Sequence, residues 1–456
     1  MTLIYNALSG AVAAQAALNT VSQNIANSQT KGYTRQGVLL QTSTAGASNI
    51  NPGNGVQIGS LLRFSDSYKL QQMWRANSEL GAHSQTQPYL TALETIMSDD
   101  KSSISYAMDN FFKALNAAAT DPTSTPYRQA VITNADSLSQ QFNSIYNATA
   151  NQLISIQQQQ TAILPSLNES LQGIADLNKQ ILNVGANGTN TSALQDKREQ
   201  LIDSVAGQVA VQVINNPDGT ASVSLKSGQP LVLADTAASL SYVTANSART
   251  LTARFNNSNF QLDDTKVGGQ LGGLGDYRDN TLQPLQTSIA EMAQQMSQKI
   301  NDQLGAGFKS DGTPGTPLFQ FNPASATGLL EVSDGFVAGD LAFSSDGTPG
   351  DSGNLSLLVG IKSQNITLSS LGDVQLGDAD TQLVGQLGIK SQQNQSQLAT
   401  ATTIRSQSED DWKSTSAVNT DEEGINLVEF QNMYQANMKV IAVANTLFDA
   451  TLQMFG

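Results

Sequence analysis

The sequence predicts an α+β multidomain fold: a terminal α-helical coiled coil and a long-helix bundle built from both chain ends, with inserted β-rich domains. Three observations carry this. Apolar or small residues recur at steps of three and four over 3–27 and again over 427–455, which draws one narrow stripe on each of two terminal helices. A near-3.5-residue period runs along 125–184, the spacing of helices packed in a bundle. Across 207–265 the period changes to two and turn signals multiply, which reads as β structure.

The first stripe comprises Leu3, Ile4, Leu8, Ala11, Ala14, Leu18, Val21 and Ile25. So narrow a stripe forms no core alone; it needs another helix. Asn27-Ser28-Gln29-Thr30-Lys31-Gly32-Tyr33 then breaks the helix with turn formers. Residues 38–62 read as extended or irregular, with Asn51-Pro52-Gly53-Asn54-Gly55 a strong turn. Helices follow over 64–98 and 103–120, the second stopped by Asp121-Pro122. The long helix over 125–184 carries a seam of Phe142, Ile145, Thr149, Ile156, Ile163, Leu167, Leu171, Ile174, Leu177, Ile181 and Val184. Pro165 lacks an N–H and crowds the preceding turn, so it is expected to kink or split that helix. Asn187-Gly188 closes it, and a short helix spans 191–205.

Val209-Ala210-Val211-Gln212-Val213 then alternates, Asp218-Gly219 is a hairpin signal, and Val223, Leu225 and Leu231-Val232-Leu233 continue the pattern. The glycine run from Gly268 to Gly275 has the wrong spacing for a phosphate loop and reads as a flexible hinge into a helix over 276–304. Residues 305–380 hold turns and short strands. Ser-Asp-Gly-Thr-Pro-Gly occurs at 310–315 and at 345–350. A duplicated β unit would explain it, but the flanking sequences differ, which favours two similar turns. Helix returns over 381–412, and Thr420-x-x-Glu423 reads as a capping box for a last helix. That helix carries Leu427, Phe430, Tyr434, Met438, Ile441, Phe448, Leu452 and Phe455. The expected division is a terminal coiled-coil assembly domain (1–40 with 415–456), a helical bundle (41–206, 270–304 and 381–414), an inserted β domain (207–269) and a β- and turn-rich region (305–380).

The chain has 456 residues and a net charge of -15. Such a surface repels nucleic acid and anionic membrane. Charged residues make up only 13%, and a polar but uncharged surface suits dense packing of identical subunits. Cysteine is absent, which removes disulfides, thiol catalysis and Cys-ligated zinc. The first basic residue is Lys31, so no secretory signal is expected, and no apolar run is long enough for membrane insertion.

Catalytic signatures are missing: no H-E-x-x-H, Walker or G-x-S-x-G motif occurs. The single histidine, His83, reads as a solvated surface residue. The acidic pairs Asp99/Asp100, Asp263/Asp264, Asp410/Asp411 and Glu422/Glu423 fall at expected turns or helix ends, where carboxylates favour solvent or the helix N-terminus. Asp346 to Asn354 lacks the spaced ligands of an EF-hand loop. No catalytic residue, cofactor or metal site is expected.

The stretch Leu18-Asn19-Thr20-Val21-Ser22-Gln23-Asn24-Ile25-Ala26-Asn27, with Thr30-Lys31-Gly32-Tyr33, resembles the N-terminal signature of the bacterial flagellar axial family of rod, hook and hook-associated subunits. Asn24, Asn27, Gly32, Tyr33, Arg35 and Gln36 carry it, and Tyr33-Thr34-Arg35-Gln36 is similar to the hook-associated members at the hook–filament junction. Lys31 departs from the proline of many relatives. Residues 194–202, with Asp196, Arg198 and Glu199, resemble the family's Asp-x-Arg-Asp-x-Leu helix. The glycine run leading to Tyr277-Arg278-Asp279 resembles another family segment. Asn426-Leu427, Phe430-Gln431, Tyr434-Gln435-Ala436 and Ala444-Asn445-x-Leu447-Phe448-Asp449 resemble its C-terminal pattern.

The resemblance implies a structural protein, not an enzyme, that forms a junction ring between hook and filament and a base for the next junction protein and flagellin. Implied partners are further copies of the chain, hook protein, a second junction protein and an export chaperone. The implied location is the extracellular flagellum, reached without a cleaved signal peptide. Assembly-interface candidates are Ile4, Leu8, Ala11, Leu18, Val21 and Ile25 at one end and Leu427, Phe430, Tyr434, Ile441, Leu447, Phe448, Leu452 and Phe455 at the other. Another axial component, or a secreted adhesin using outward β domains, are the alternatives. Seams this rich in small and polar residues bury little at about 25 cal/mol per Å², against an ordering cost of roughly 1–2 kcal/mol per residue. Both ends are therefore expected to be largely disordered in the monomer and to fold when neighbours supply the partner surface.

Overall fold

The computed structural model describes residues 2–43, 54–99, 101–245, 248–325 and 328–455. Asn51-Pro52-Gly53 and Asp100 lie outside the described residues. Helix α1 (Thr2–Ala26) leads into an antiparallel hairpin of β1 (Gln36–Thr42) and β2 (Val56–Arg63), then α2 (Ser67–Met97) and α3 (Ile104–Ala118). The extended stretch is thus a paired hairpin.

The longest element is α4 (Thr125–Gly185), 61 residues, or about 90 Å at 1.5 Å per residue. It buries Phe142, Ile145, Ile156, Leu167, Leu171 and Ile174. The helix runs unbroken through Pro165, so the expected split does not occur. Losing one hydrogen bond to proline costs roughly 3 kcal/mol. Ile163, Leu164 and Leu167 are buried around it, and each contributes roughly 1.5–3 kcal/mol, enough to hold the helix continuous.

After α5 (Ser192–Gln208) come two antiparallel sheets. The first is β3 (Val211–Asn215), β4 (Ala221–Leu225), β5 (Pro230–Leu233) and β6 (Thr236–Ala237). The second is β7 (Ser239–Ala245), β8 (Ala248–Phe255) and β9 (Ser258–Leu262). Asp218-Gly219 makes the β3–β4 turn, with Gly219 at φ 85°. Asn178 of α4 ties the first sheet to the long helix. Its amide nitrogen donates to the carbonyls of Ala221 and Ala234 (2.8 and 2.7 Å), and its oxygen accepts from the Ala221 N–H (3.0 Å).

The glycine run is not a hinge. It forms α6 (Gly269–Tyr277), with Gly269, Gly272 and Gly275 buried. A Cβ on Gly273 would lie 2.5 Å from the Ala82 carbonyl oxygen of α2, and one on Gly275 would lie 2.7 Å from that of Asp264. The glycines are there for close approach, which only a missing side chain permits.

A π-helical turn (Arg278–Leu282) follows, then α7 (Gln283–Gly305). At that turn Arg278 grips Asp264 with both guanidinium nitrogens, at 2.9 and 3.0 Å. Tyr242 donates to the same carboxylate (3.1 Å), and burial, with the Asp264 charge adding, pushes the Tyr242 pKa up. Asp264 is therefore a buried structural anion rather than the solvent-facing turn residue expected of it. Unpaired, it would cost several kcal/mol in this interior.

Residues 306–375 pack on the helices through β10 (Phe319–Phe321) with β11 (Leu330–Val332), a helix not expected from the sequence, α8 (Gly353–Gly360), and β12 (Asn365–Leu368) with β13 (Gly372–Gln375). The repeated hexapeptide makes two like turns. Asp311 accepts from the Thr313 N–H and Asp346 from the Thr348 N–H (2.9 and 2.8 Å), each followed by a glycine with positive φ. Helices α9 (Leu376–Ser416) and α10 (Thr420–Phe455) end the fold. His83 is half-buried where α2 meets α9, its Nδ1 2.8 Å from Asn394 Oδ1. The solvated histidine expected from the sequence is instead part of a helix contact, because α9 returns from far along the chain to cover it.

Candidate assembly interface

The two chain ends meet: α1 packs along α10, with the β1–β2 hairpin against α1. The face of α1 turned inward is small, with Ala7, Ala11, Ala14, Ala17 and Val21 buried. A Cβ on Gly10 would fall 2.5 Å from the Asn437 side chain, so the two backbones run close. Helices that approach through alanine and glycine leave no room between them for bulky side chains.

The expected seams therefore divide. Ala11 and Val21 are buried, Ile4 and Leu18 are half-buried, and Leu8 (50% exposed) and Ile25 face outward with Leu3 and Val12. On α10, Phe430, Tyr434 and Ile441 are half-buried, whereas Leu427, Leu447 (59% exposed), Phe448 (60%) and Leu452 are exposed. The Phe455 side chain lies outside the described residues. On α1 small residues form the covered face, and on both helices several large residues, Leu8, Leu447, Phe448 and Leu452 among them, stay uncovered. Covering one Leu or Phe contributes roughly 1.5–3 kcal/mol.

The signature residues form the joint between this helical pair and the rest of the chain. Asn24 is buried and acts as its hub. Its oxygen accepts from the Tyr33 hydroxyl (3.0 Å) and the Gln36 N–H (3.1 Å), and its nitrogen donates to the Gln36 carbonyl (2.8 Å). Asn27 closes the end of α1 by donating to the Gln23 carbonyl (2.9 Å). Gly32 turns at φ 73°, and a Cβ there would meet Gln200 Nε2 at 2.6 Å. Gln200 itself donates to the Lys31 carbonyl (2.7 Å). Arg35 crosses to the other chain end: its N–H donates to the Ser416 carbonyl (2.8 Å), its guanidinium pairs with Glu422 (2.6 Å), and it lies over the Phe64 ring. Burial, then the charges of Asp196 and Glu423, raise the Tyr33 pKa.

Beneath the loop sits an ion cluster that the sequence reading missed. Arg63, at the end of β2, binds Asp196 (2.6 Å) and Glu199 (2.6 Å) and donates to Thr34 Oγ1 (2.9 Å). Burial pulls its pKa down, but the hydrogen bonds and charges of Glu199 and Asp196 outweigh that and raise it. Asp196 also accepts from the Thr34 N–H (3.2 Å). The available signal was that Arg63 is the sole charge in either hairpin strand, and a lone charge ending an apolar strand needs a partner. Arg405 of α9 makes a similar clasp with Asp203 of α5 (2.8 Å).

The cap of α10 differs from expectation. Asn419, not Thr420, holds that position, its side-chain oxygen accepting from the Asp421 N–H (3.0 Å). Glu423 does not reach back; its side chain is buried beside the joint. An Asn amide one residue earlier reaches the same free N–H groups, which releases Glu423 inward.

Among the described residues no cluster of His, Cys, Asp or Glu is arranged to hold a metal, and no helix is long and apolar enough to cross a membrane.

Comparison with known proteins gives a consistent result. Residues 90–319 match the model for the flagellar hook-associated protein FlgK helical domain. Residues 4–34 match that for the flagella basal body rod protein, and 414–454 that for the flagellar basal body rod FlgEFG protein C-terminal region. The chain is 27% identical to flagellar hook-associated protein 1 of Escherichia coli, over 99% of this chain and 100% of that one. It is 25% identical to the Bacillus subtilis protein of the same name, over 97% and 96%. The solved flagellar hook junction protein FlgK from Burkholderia pseudomallei superposes with a TM-score of 0.51 at 26% identity, over 55% of this chain and 47% of that one.

Proposed function

The chain belongs to the flagellar hook-associated protein family, and from that premise we propose that it builds the ring joining hook to filament and supplies the base on which the next junction protein and flagellin assemble. The observation that carries this reading is the division of the terminal helices: a small-residue face closes the chain's two ends on each other, while Leu8, Ile25, Leu447, Phe448 and Leu452 remain uncovered. Uncovered side chains of that size on a helix pair mark an interaction surface.

The role is structural rather than catalytic: the buried carboxylates Asp196 and Asp264 are held by arginines, and buried Asp380 accepts a backbone N–H from Ser105. The terminal unit (1–40 with 415–456) contacts neighbouring subunits, and the helical body carries the β regions outward. Further copies of the chain and hook protein are its immediate neighbours, and an export chaperone holds the uncovered terminal surface before assembly. It reaches the cell exterior without a cleaved signal.

The test is deletion of the gene in its source bacterium, with electron microscopy of the cell surface and an assay for flagellin in the medium. Bare hooks with leaked flagellin are expected. Normal filaments overturn the junction role.

A further inference from the structure

The β1–β2 hairpin is apolar yet poorly covered, with residues 57–62 of β2 all exposed. Side chains alternate between faces along a strand, yet the neighbours Leu61 (42% exposed) and Leu62 (48%) are both open, as are Leu39 and Ile58. Both faces thus carry uncovered leucine or isoleucine. Among the described residues the hairpin forms a sheet of two strands, a size only marginally stable in water. Neither strand carries a lysine or proline to guard its outer edge. The one charge in either strand, Arg63, is used up inside the chain by Asp196 and Glu199.

Charge identifies what covers it. The chain carries 38 acidic residues, yet none precedes Asp66. Helix α1 holds no charged residue, and the hairpin strands hold no acidic one. Two copies of a protein with net charge -15 repel each other over most of their surface. They approach with less of that penalty where the acid-free segment forms the surface. This segment is continuous with the outward face of α1: the hairpin lies along that helix, and the Val56 N–H donates to Ser9 Oγ (3.2 Å).

We propose that the hairpin is a second subunit-contact element, distinct from the terminal helix pair, and that a second copy of this chain covers Leu39, Ile58, Leu61 and Leu62 in the assembled ring. The inference rests on the junction reading above and adds the element through which copies meet.

The chain has no cysteine, so Leu61→Cys provides a single attachment point for a maleimide–benzophenone photocrosslinker. Illumination of isolated hook–filament junctions is expected to give an adduct of twice the chain mass whose tryptic peptides come from this chain alone. Leu39→Cys, on the other strand, repeats the measurement should the first variant fail to assemble. Leu61→Asp with Leu62→Asp is expected to lower the number of filaments per cell at least tenfold while the purified chain unfolds as before. Peptides from a different protein in the adduct, no adduct above the dilute-monomer control, or normal filaments on the Asp double variant each overturn the inference. Leu447→Asp with Phe448→Asp in α10 serves as the reference. If that variant also assembles normally, the junction reading of the terminal pair fails. If it fails to assemble while the hairpin variant assembles, only the hairpin inference fails.

Discussion

Helices α4 and α10 carry comparable apolar stripes and end in opposite surroundings. Along α4 the stripe is closed by α3, α5, α7 and the β sheets, and Phe142, Ile145, Leu167 and Leu171 have no exposed surface. Along α10 the chain supplies one companion, α1, whose inner face is alanine, and Leu447, Phe448 and Leu452 stay open. A periodic stripe states that a helix needs partners. It does not state whether they come from the same chain. The difference lies in the side-chain sizes of the element opposite.

The largest expected effect lies on the open side of this comparison. Leu447→Asp with Phe448→Asp should abolish incorporation into the junction, scored by microscopy, while the isolated chain's stability changes by no more than about 0.5 kcal/mol, since both positions are exposed. A large loss of monomer stability would mean that α10 is as closed as α4. On the closed side, Phe142→Ala should destabilise the purified chain by about 3–5 kcal/mol in denaturant titration. A loss below about 1 kcal/mol would show that the α4 seam, too, is loosely filled.

The third effect depends on pH. Asp380, at the start of α9, is buried with its carboxylate receiving the Ser105 N–H (2.8 Å), and burial raises its pKa from 3.8 to about 6. The folded chain keeps this proton in a window where the unfolded chain has lost it, so the group's contribution to stability falls as pH rises from about 4 to about 6. The shift corresponds to, at most, on the order of 3 kcal/mol. Asp380→Asn removes the titration. Its denaturation midpoint should exceed that of the unaltered chain at pH 7.5, and the gap should narrow at pH 4.5; a constant gap would place the cost elsewhere than in ionisation.

The smallest effects separate two kinds of glycine. Gly273→Ala forces a methyl toward the α2 backbone and should cost about 1–3 kcal/mol. Gly385→Ala, in α9 with nothing within 4 Å of the added carbon, should gain about 0.5–1 kcal/mol. Equal effects would mean that α6 is not tightly seated on α2.

Periodic features were legible in the sequence: the terminal stripes, the α4 seam, the Asp218-Gly219 hairpin and the Asn24-to-Gln36 signature depend on residues near one another in the chain. Features set by distant contacts were not. Pro165 signals a break, but buried side chains on both sides of it hold the helix. The glycines of α6 look flexible until α2 is placed against them. Asp264 and His83 look solvated until Arg278 and Asn394 arrive. At the candidate interface the sequence pointed to the two terminal helices, but not to how their side chains divide between covered and open faces. That division depends on the distance between helix axes, which no spacing along one strand of sequence encodes.

The pairing of α1 with α10 also ties the two ends of the fold into one unit. Helix α1 is the first of the described elements and α10 the last, and their contact faces meet. A chain truncated before α10 leaves Ala7, Ala11, Ala14 and Ala17 of α1 bare and Arg35 without Glu422, whatever the state of its body. The pair is thus made or lost as a whole: without one helix, the other has no long companion to lie against.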